Sequence, residues 1–379
     1  MQNRWTVLAL LFTVRLAMAF QFQAVGAVSP TFMQTFGVAL ADIGLLISLY
    51  LAPGIVFAVP GGEIGRRFGD KSVVLFGLAL MIAGGLVMAL TAGWYWQLLG
   101  RLVAGIGGVL LNVLMSKMIT DWFAGREIAT AMGIFVNSWP AGIALALIVL
   151  PTLASAGGVV FAAVGLALLT LFYQPPPGQD AATPYGEWPA GTVLKAVITA
   201  GRIWGLYNTA LGMVFGYGTA LLTERGWSLQ AAGLATSLVL WMAALSVPLG
   251  GIIADRTGRS TEVIFAGLGL SALMLFISGR AEAVVFWFIA LGLVAGLPAG
   301  PIMSLPSRVL TAGTRATGMG LYFSMFYLMI VIGPIIAGRL AVFAGTSRAA
   351  FDFGVGMLLA CFLLLWLYER FTARRTAHA

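Results

Sequence analysis

Charge is what this sequence has least of. Aspartate and glutamate total 13 in 379 residues, lysine and arginine 21, and all charged residues together make up 9%. Soluble domains carry about 25%. Histidine occurs once, at His378, which excludes a His-based catalytic or metal site. Cysteine occurs once, at Cys361, inside an apolar run, which excludes a disulfide framework. No phosphate loop, metal-ligand cluster or nucleophile–base set can be found. The chain therefore reads as neither an enzyme nor a metalloprotein, and it calls for no cofactor. It also lacks a large soluble segment that would serve a receptor as a signalling surface.

What the sequence has in excess is apolar surface. Hydrophobic residues are 60% of the chain, against about 45–50% in soluble domains. They form successive runs of about 20 residues, the length a helix needs to cross roughly 30 Å of hydrocarbon. Lipid admits only helices or closed barrels, and the period-two alternation of barrel strands is absent. The fold class is thus an all-α polytopic membrane protein. A net charge of +8 invites a nucleic-acid reading, but the basic residues sit in short loops between spans, where topology uses them, so the partner is membrane lipid and not nucleic acid. Arg4, the following apolar run and Ala17–Ala19 outline a signal peptide. Arg15 interrupts that run, and cleavage would leave an odd number of spans, so the segment is read as the first span.

Twelve helices are expected near 5–28, 41–64, 72–92, 94–120, 127–150, 156–173, 199–222, 230–254, 262–279, 282–306, 315–342 and 348–371. The longest polar break, Gln174 to Gly191, contains three consecutive prolines, Pro175–Pro177, which stop a helix. The chain divides into a six-helix bundle over 1–173, a linker over 174–198 and a second bundle over 199–379. One set of connections holds fifteen basic residues, from Arg4, Arg66, Arg67 and Lys71 through Arg370, Arg374 and Arg375; the opposite set holds Arg225, Arg280, Arg339 and Arg348. That bias puts both termini and the linker in the cytoplasm. Gly178 and Arg280 should then be reached from opposite sides of a bacterial inner membrane.

The two halves repeat. A shift of 189 residues brings Gly44 onto Gly233, Gly62 onto Gly251 and Gly69 onto Gly258, and Ala124–Ile134 resembles Ala312–Leu321 with one gap. Copies with an even number of spans share one topology, which gives a parallel repeat with a site near midplane between the copies.

These residues carry a family resemblance. Gly251-x-x-x-Asp255-Arg256-x-Gly258-Arg259 resembles the loop signature of the major facilitator superfamily. Arg101-x-x-x-Gly105-x-Gly107 is similar to its fourth-helix signature, and Gly333–Pro334 with Gly338, and Pro140-x-Gly142, echo its glycine–proline helix motif. Ile203–Ser228 is similar to the cyanate and nitroimidazole permease branch. The resemblance implies the major facilitator fold and a monomeric secondary transporter working by alternating access on a small molecule, with a coupled ion or counter-substrate as second partner. It also implies a cytoplasmic gate built from Gly62, Arg66, Arg67, Gly69, Asp70, Arg126, Gly251, Asp255, Arg256, Gly258, Arg259 and Arg315, and a coupling or structural role for Arg101, Gly105 and Gly107. The first loop departs from the pattern. Aligned on Gly69, Arg66 stands where the signature has aspartate and Asp70 where it has arginine. Arginine does not suit the positive end of a helix, so a latch between this loop and the span beginning near Arg315 would lack the signature's aspartate.

Charge at bilayer depth is costly and marks function. Arg15 lies about ten residues into the first span, roughly 15 Å deep by helical rise. Guanidinium keeps its charge and matches planar oxyanions, so Arg15 is read as a substrate anion's partner; the alternative is an internal one, such as Gln21 or Gln23. Lys117, near an end of its span, is expected to snorkel to water. Gln21, Gln23, Asn112, Asn137, Ser138, Trp139, Asn208, Tyr217, Trp241, Tyr322 and Tyr327 supply polar and aromatic groups at middle depth for a substrate pocket. The substrate reads as a small anion or anionic metabolite. The alternative is an exporter of neutral or amphipathic compounds with a structural Arg15.

Overall fold

Proline and glycine decide where the long apolar runs break into helices. A computed structural model describes residues 3–27, 29–153, 157–174 and 187–376. Its helices in chain order are α1 (Arg4–Ala27), α2 (Ser29–Phe36), α3 (Leu40–Ser48), α4 (Gly54–Phe68), α5 (Asp70–Leu90), α6 (Trp94–Phe123), α7 (Ile128–Leu153) and α8 (Gly157–Phe172). After the linker come α9 (Gly191–Glu224), α10 (Leu229–Thr257), α11 (Ser260–Ser278), α12 (Val284–Ala295), α13 (Ala299–Ser304) with a 3-10 turn (Leu305–Arg308), α14 (Arg315–Ala344) and α15 (Arg348–Thr376). Among the described residues there is no strand.

Nine helical stretches among the described residues are long and apolar enough to cross a membrane. The other three expected spans are also helical. The second is split into α3 and α4 around Pro53, which has no N–H to continue a helix. The sixth is α8, which follows residues outside the described set. The seventh is α9, a 34-residue helix that also carries Lys195, Arg202 and Glu224. The tenth span is one apolar stretch in three pieces, interrupted around Gly296 and Pro298. Several ends shift by a few residues, and two departures are larger. The short helix α2 occupies a stretch read as loop, and the last residues of the expected linker, 191–198, are the first two turns of α9. Linker residues 175–186, Gly178 among them, lie outside the described residues.

Contacts group the chain into two compact units. The first is Met1–Phe123, Asn137–Trp188 and Leu310–Ser324; the second is Ala124–Val136, Pro189–Val309 and Met325–Ala379. The start of α7 thus groups with the second unit and the start of α14 with the first. In the first unit α5 packs on α6 and α8, and α1 on α8; in the second α9 packs on α15 and α10 on α12. Small residues let these backbones approach, since lipid gives no hydrophobic drive to pull apolar helices together. A Cβ at Gly107 would lie 2.3 Å from the carbonyl oxygen of Gly77, and one at Gly250 1.9 Å from that of Leu297.

Candidate substrate and gate sites

Arg15 points into the first unit. It is 6% exposed, its Nε donates to Asn112 Oδ1 at 3.1 Å and its Nη1 donates to Ser138 Oγ at 3.2 Å. Asn112 comes from α6 and Ser138 from α7, and both are buried. Gly142 explains how α7 comes so near: a Cβ there would lie 2.5 Å from the carbonyl oxygen of Leu16. Both of these partners are neutral. They set the plane of the guanidinium, and the Trp139 ring lies 5.9 Å from its centre. Trp139 continues to Phe22 at 5.1 Å between ring centroids, and Phe22 to Tyr50 at 5.8 Å.

Gln21 is turned elsewhere. Its Nε2 donates to the Met81 carbonyl at 2.8 Å, and its Oε1 accepts from the Tyr50 hydroxyl at 3.5 Å. Gln23 and Asn137 are half-buried on α1 and α7, and Tyr322 is buried edge-on to Phe323. Arg101 has a structural account. Its Nε donates to the Leu46 carbonyl at 3.0 Å, Nη1 to that of Gln21 at 2.8 Å and Nη2 to that of Phe22 at 2.6 Å, under the Tyr50 ring at 4.4 Å. Leu46 lies in α3 just ahead of the break, so Arg101 ties that broken span to α1. Gly105, one turn on, faces the same break, where a Cβ would lie 2.7 Å from the Tyr50 carbonyl oxygen. In the second unit Asn208 bonds its own helix at Trp204, Tyr217 donates to the Pro334 carbonyl at 2.8 Å, and Tyr327 is buried beside Phe326. Trp241 is 57% exposed on α10 and, among the described residues, makes no ring contact. Within the first unit, Arg15, Asn112, Ser138 and Trp139 meet, with Phe22 beyond Trp139.

The two signature loops differ. In the second unit Asp255 accepts from the backbone N–H of Ala129 at 3.2 Å and of Thr130 at 2.7 Å. These are first-turn donors of α7 that no helical carbonyl can satisfy, and a carboxylate suits that positive end. Gly251 permits the approach, since a Cβ there would lie 2.4 Å from the Ala129 carbonyl oxygen. Gly258 takes φ +67° and turns the chain sharply after α10. Arg126, Arg256 and Arg259 are exposed and, among the described residues, form no ion pair.

In the first unit Arg66 and Arg67 both pair with Glu63 on their own helix, Arg67 Nε at 2.9 Å. Asp70 pairs with Lys117, Lys117 with Asp121 at 2.9 Å, and Asp121 with Arg315. The Asp121 side chain is 1% exposed and that of Lys117 12%. This corrects one expectation. Lys117 does not snorkel; it is the inner link of an alternating charge chain. Arg315 is held by Asp121, a residue of α6 and not of the loop. Gly62 completes the fit, as a Cβ there would lie 2.2 Å from the Ala316 carbonyl oxygen. Asp121 falls just past the expected end of the fourth span at 120, and its i, i+4 spacing from Lys117 is the sequence signal for it.

The family model of the Major Facilitator Superfamily matches residues 11–223 and 209–378. The chain belongs to this superfamily. As a superfamily member it is a multi-pass membrane transporter and not an enzyme. It is 27% identical over 388 residues to the 3-(3-hydroxy-phenyl)propionate transporter of Escherichia coli (strain K12), covering 96% of this chain and 94% of that one. It is 34% identical over 146 residues, 37% of this chain and 35% of the relative, to the multidrug resistance protein MdtG of Serratia proteamaculans. Among solved structures it is similar to the human organic anion transporter MFSD10, with a TM-score of 0.81, 17% identity and coverage of 96% of this chain and 100% of that one. At that identity the likeness speaks for the fold, which is the twelve-span major facilitator fold.

Proposed function

We propose that this superfamily member moves a small organic anion, a carboxylate of the arylpropionate kind, across a bacterial inner membrane by alternating access, with Arg15 receiving the carboxylate. One observation carries this reading: a buried guanidinium is oriented by Asn112 and Ser138 and faced by the Trp139 ring. An arginine so fixed offers two-pronged recognition of a carboxylate, and an aromatic face next to it suits an aryl acid. The relative matched over nearly its whole length is named for such a substrate. The termini are cytoplasmic in this reading. The anchoring of α7 by Asp255 and of α14 by Asp121 are two latches that release as the transporter cycles.

Ligand-induced stabilisation of the purified protein tests the assignment. A ligand at about 100 times its Kd adds about 2.7 kcal/mol to the stability of the form it binds. 3-(3-Hydroxyphenyl)propionate should raise the melting temperature, and its neutral methyl ester should not. Arg15→Gln should melt cooperatively and lose the ligand shift, and Arg15→Lys, which keeps the charge without the fork, should lose most of it. The partial match to MdtG supports a second reading, export of neutral or amphipathic compounds. Stabilisation by the ester and the acid alike, unchanged in Arg15→Gln, would favour that reading.

A further inference from the structure

Four basic residues fall on the side of the membrane opposite the termini, and three of them line one cavity. Arg225 at the end of α9, Arg280 after α11 and Arg348 at the start of α15 surround a space of about 500 Å³ within the second unit, together with Trp227 and Glu282. That volume lies within the range of small-molecule sites, about 300–1,000 Å³. Topology does not ask for arginine here, since the orienting bias places basic residues on the other face. Their convergence therefore needs its own cause.

The three guanidiniums are held differently. Arg225 donates from Nη1 to the Ala281 carbonyl at 2.9 Å and from Nη2 to that of Gly279. Carbonyls orient a guanidinium without cancelling its charge. Arg280 is paired with Asp352 at 2.7 Å and lies 3.7 Å from the Phe276 ring. Arg348 forms no ion pair among the described residues. Glu224, the other nearby carboxylate, is turned to the start of α15, where it accepts from the Ser347 N–H at 2.9 Å and the Thr346 hydroxyl at 2.9 Å. Burial and then the like charge of Arg348 lower the pKa of Arg225, against a smaller rise from Glu224. The cavity wall carries three guanidiniums, one of them paired with Asp352, and one carboxylate, Glu282.

We infer that this cavity binds an oxyanion, a carboxylate or a phosphate, between Arg225 and Arg348 and beside the Trp227 ring, as a site separate from Arg15. A soluble organic acid and the phosphate of a lipid headgroup share this chemistry. The assignment to the outer face rests on the proposed orientation; the site itself does not.

Arginine modification by phenylglyoxal, read peptide by peptide by mass spectrometry, tests it on the full chain in nanodiscs. In phosphatidylcholine discs, added inorganic phosphate or phenylpropionate should protect Arg225 and Arg348 and leave the exposed Arg339 unprotected; this outcome assigns a soluble anion. Protection that develops only when phosphatidylglycerol replaces phosphatidylcholine assigns a lipid headgroup. Glu282→Gln removes the opposing carboxylate and should lower the half-protecting concentration about fivefold, the effect of one unit charge a few ångströms away in a wet site. Arg15→Gln should leave protection unchanged, so this site can fail or stand independently of the substrate assignment. Equal modification of Arg225 and Arg348 under every condition would overturn the inference. So would protection unaltered by Glu282→Gln, or protection lost in Arg15→Gln.

Discussion

Asp121 shows how much one side chain settles in this molecule. It accepts from Lys117 on its own helix and from Arg315 at the first residue of α14, and almost none of it reaches solvent. Removing one member of a buried ionic group leaves the others desolvated without compensation, at a cost of about 3–5 kcal/mol. Asp121→Asn should therefore lower the unfolding free energy by that order, measured by denaturant titration in detergent, and a change below 1 kcal/mol, the value of an exposed pair, would contradict a buried network. Arg66, by contrast, is tied to Glu63 within α4, so Arg66→Asp opposes two carboxylates one turn apart. It should weaken the end of α4 by the modest amount of a like-charge pair three residues apart. Part of this was legible in the sequence. Arg15, Asn112, Ser138 and Trp139 stand out as polar or amphipathic groups inside apolar runs. Phe22 and Tyr50, which extend their cluster, do not stand out, because an aromatic in a membrane helix has no sequence mark that separates a site wall from lipid-facing packing.

At the scale of elements, the period and length of apolar runs located the spans, and local chemistry explains the departures. Pro53 splits the second span, and Arg101 then binds the Leu46 carbonyl ahead of that break. The tenth span breaks where Gly296 and Pro298 cluster. These breaks were visible as residues but not as consequences, since a proline within a membrane helix is tolerated wherever neighbours satisfy the freed backbone groups. The start of α7 depends on another helix: its first-turn donors are satisfied by Asp255 from the end of α10. Asp255→Ala should cost about 1 kcal/mol, the usual value of a lost cap. Hydrogen exchange at Ala129 and Thr130 should rise with it. Asp255→Asn, which keeps an acceptor and loses the charge, should fall between the two. Exchange at these amides that is the same in wild type and Asp255→Ala would show that the cap contributes nothing.

For the whole molecule, the duplicated halves, the charge bias and the family match all describe a transporter with an even number of spans. Orientation is the part that rests on loop charges alone, and it has a direct check. Cys361 is fully buried, so the wild type offers an impermeant maleimide no accessible thiol. Arg67→Cys should label only from the cytoplasmic side and Arg280→Cys only from the opposite side. Labelling of both from one side would reject the topology. If Arg15 receives the carboxylate of the transported solute, exchange of radiolabelled 3-(3-hydroxyphenyl)propionate in proteoliposomes holding equal amounts of folded wild-type and Arg15→Lys protein depends on the guanidinium. Wild type should show saturable exchange, inhibited by other aryl acids and not by their esters, and Arg15→Lys should lose most of it. Exchange by Arg15→Lys at the wild-type rate and with the wild-type concentration dependence would contradict that role.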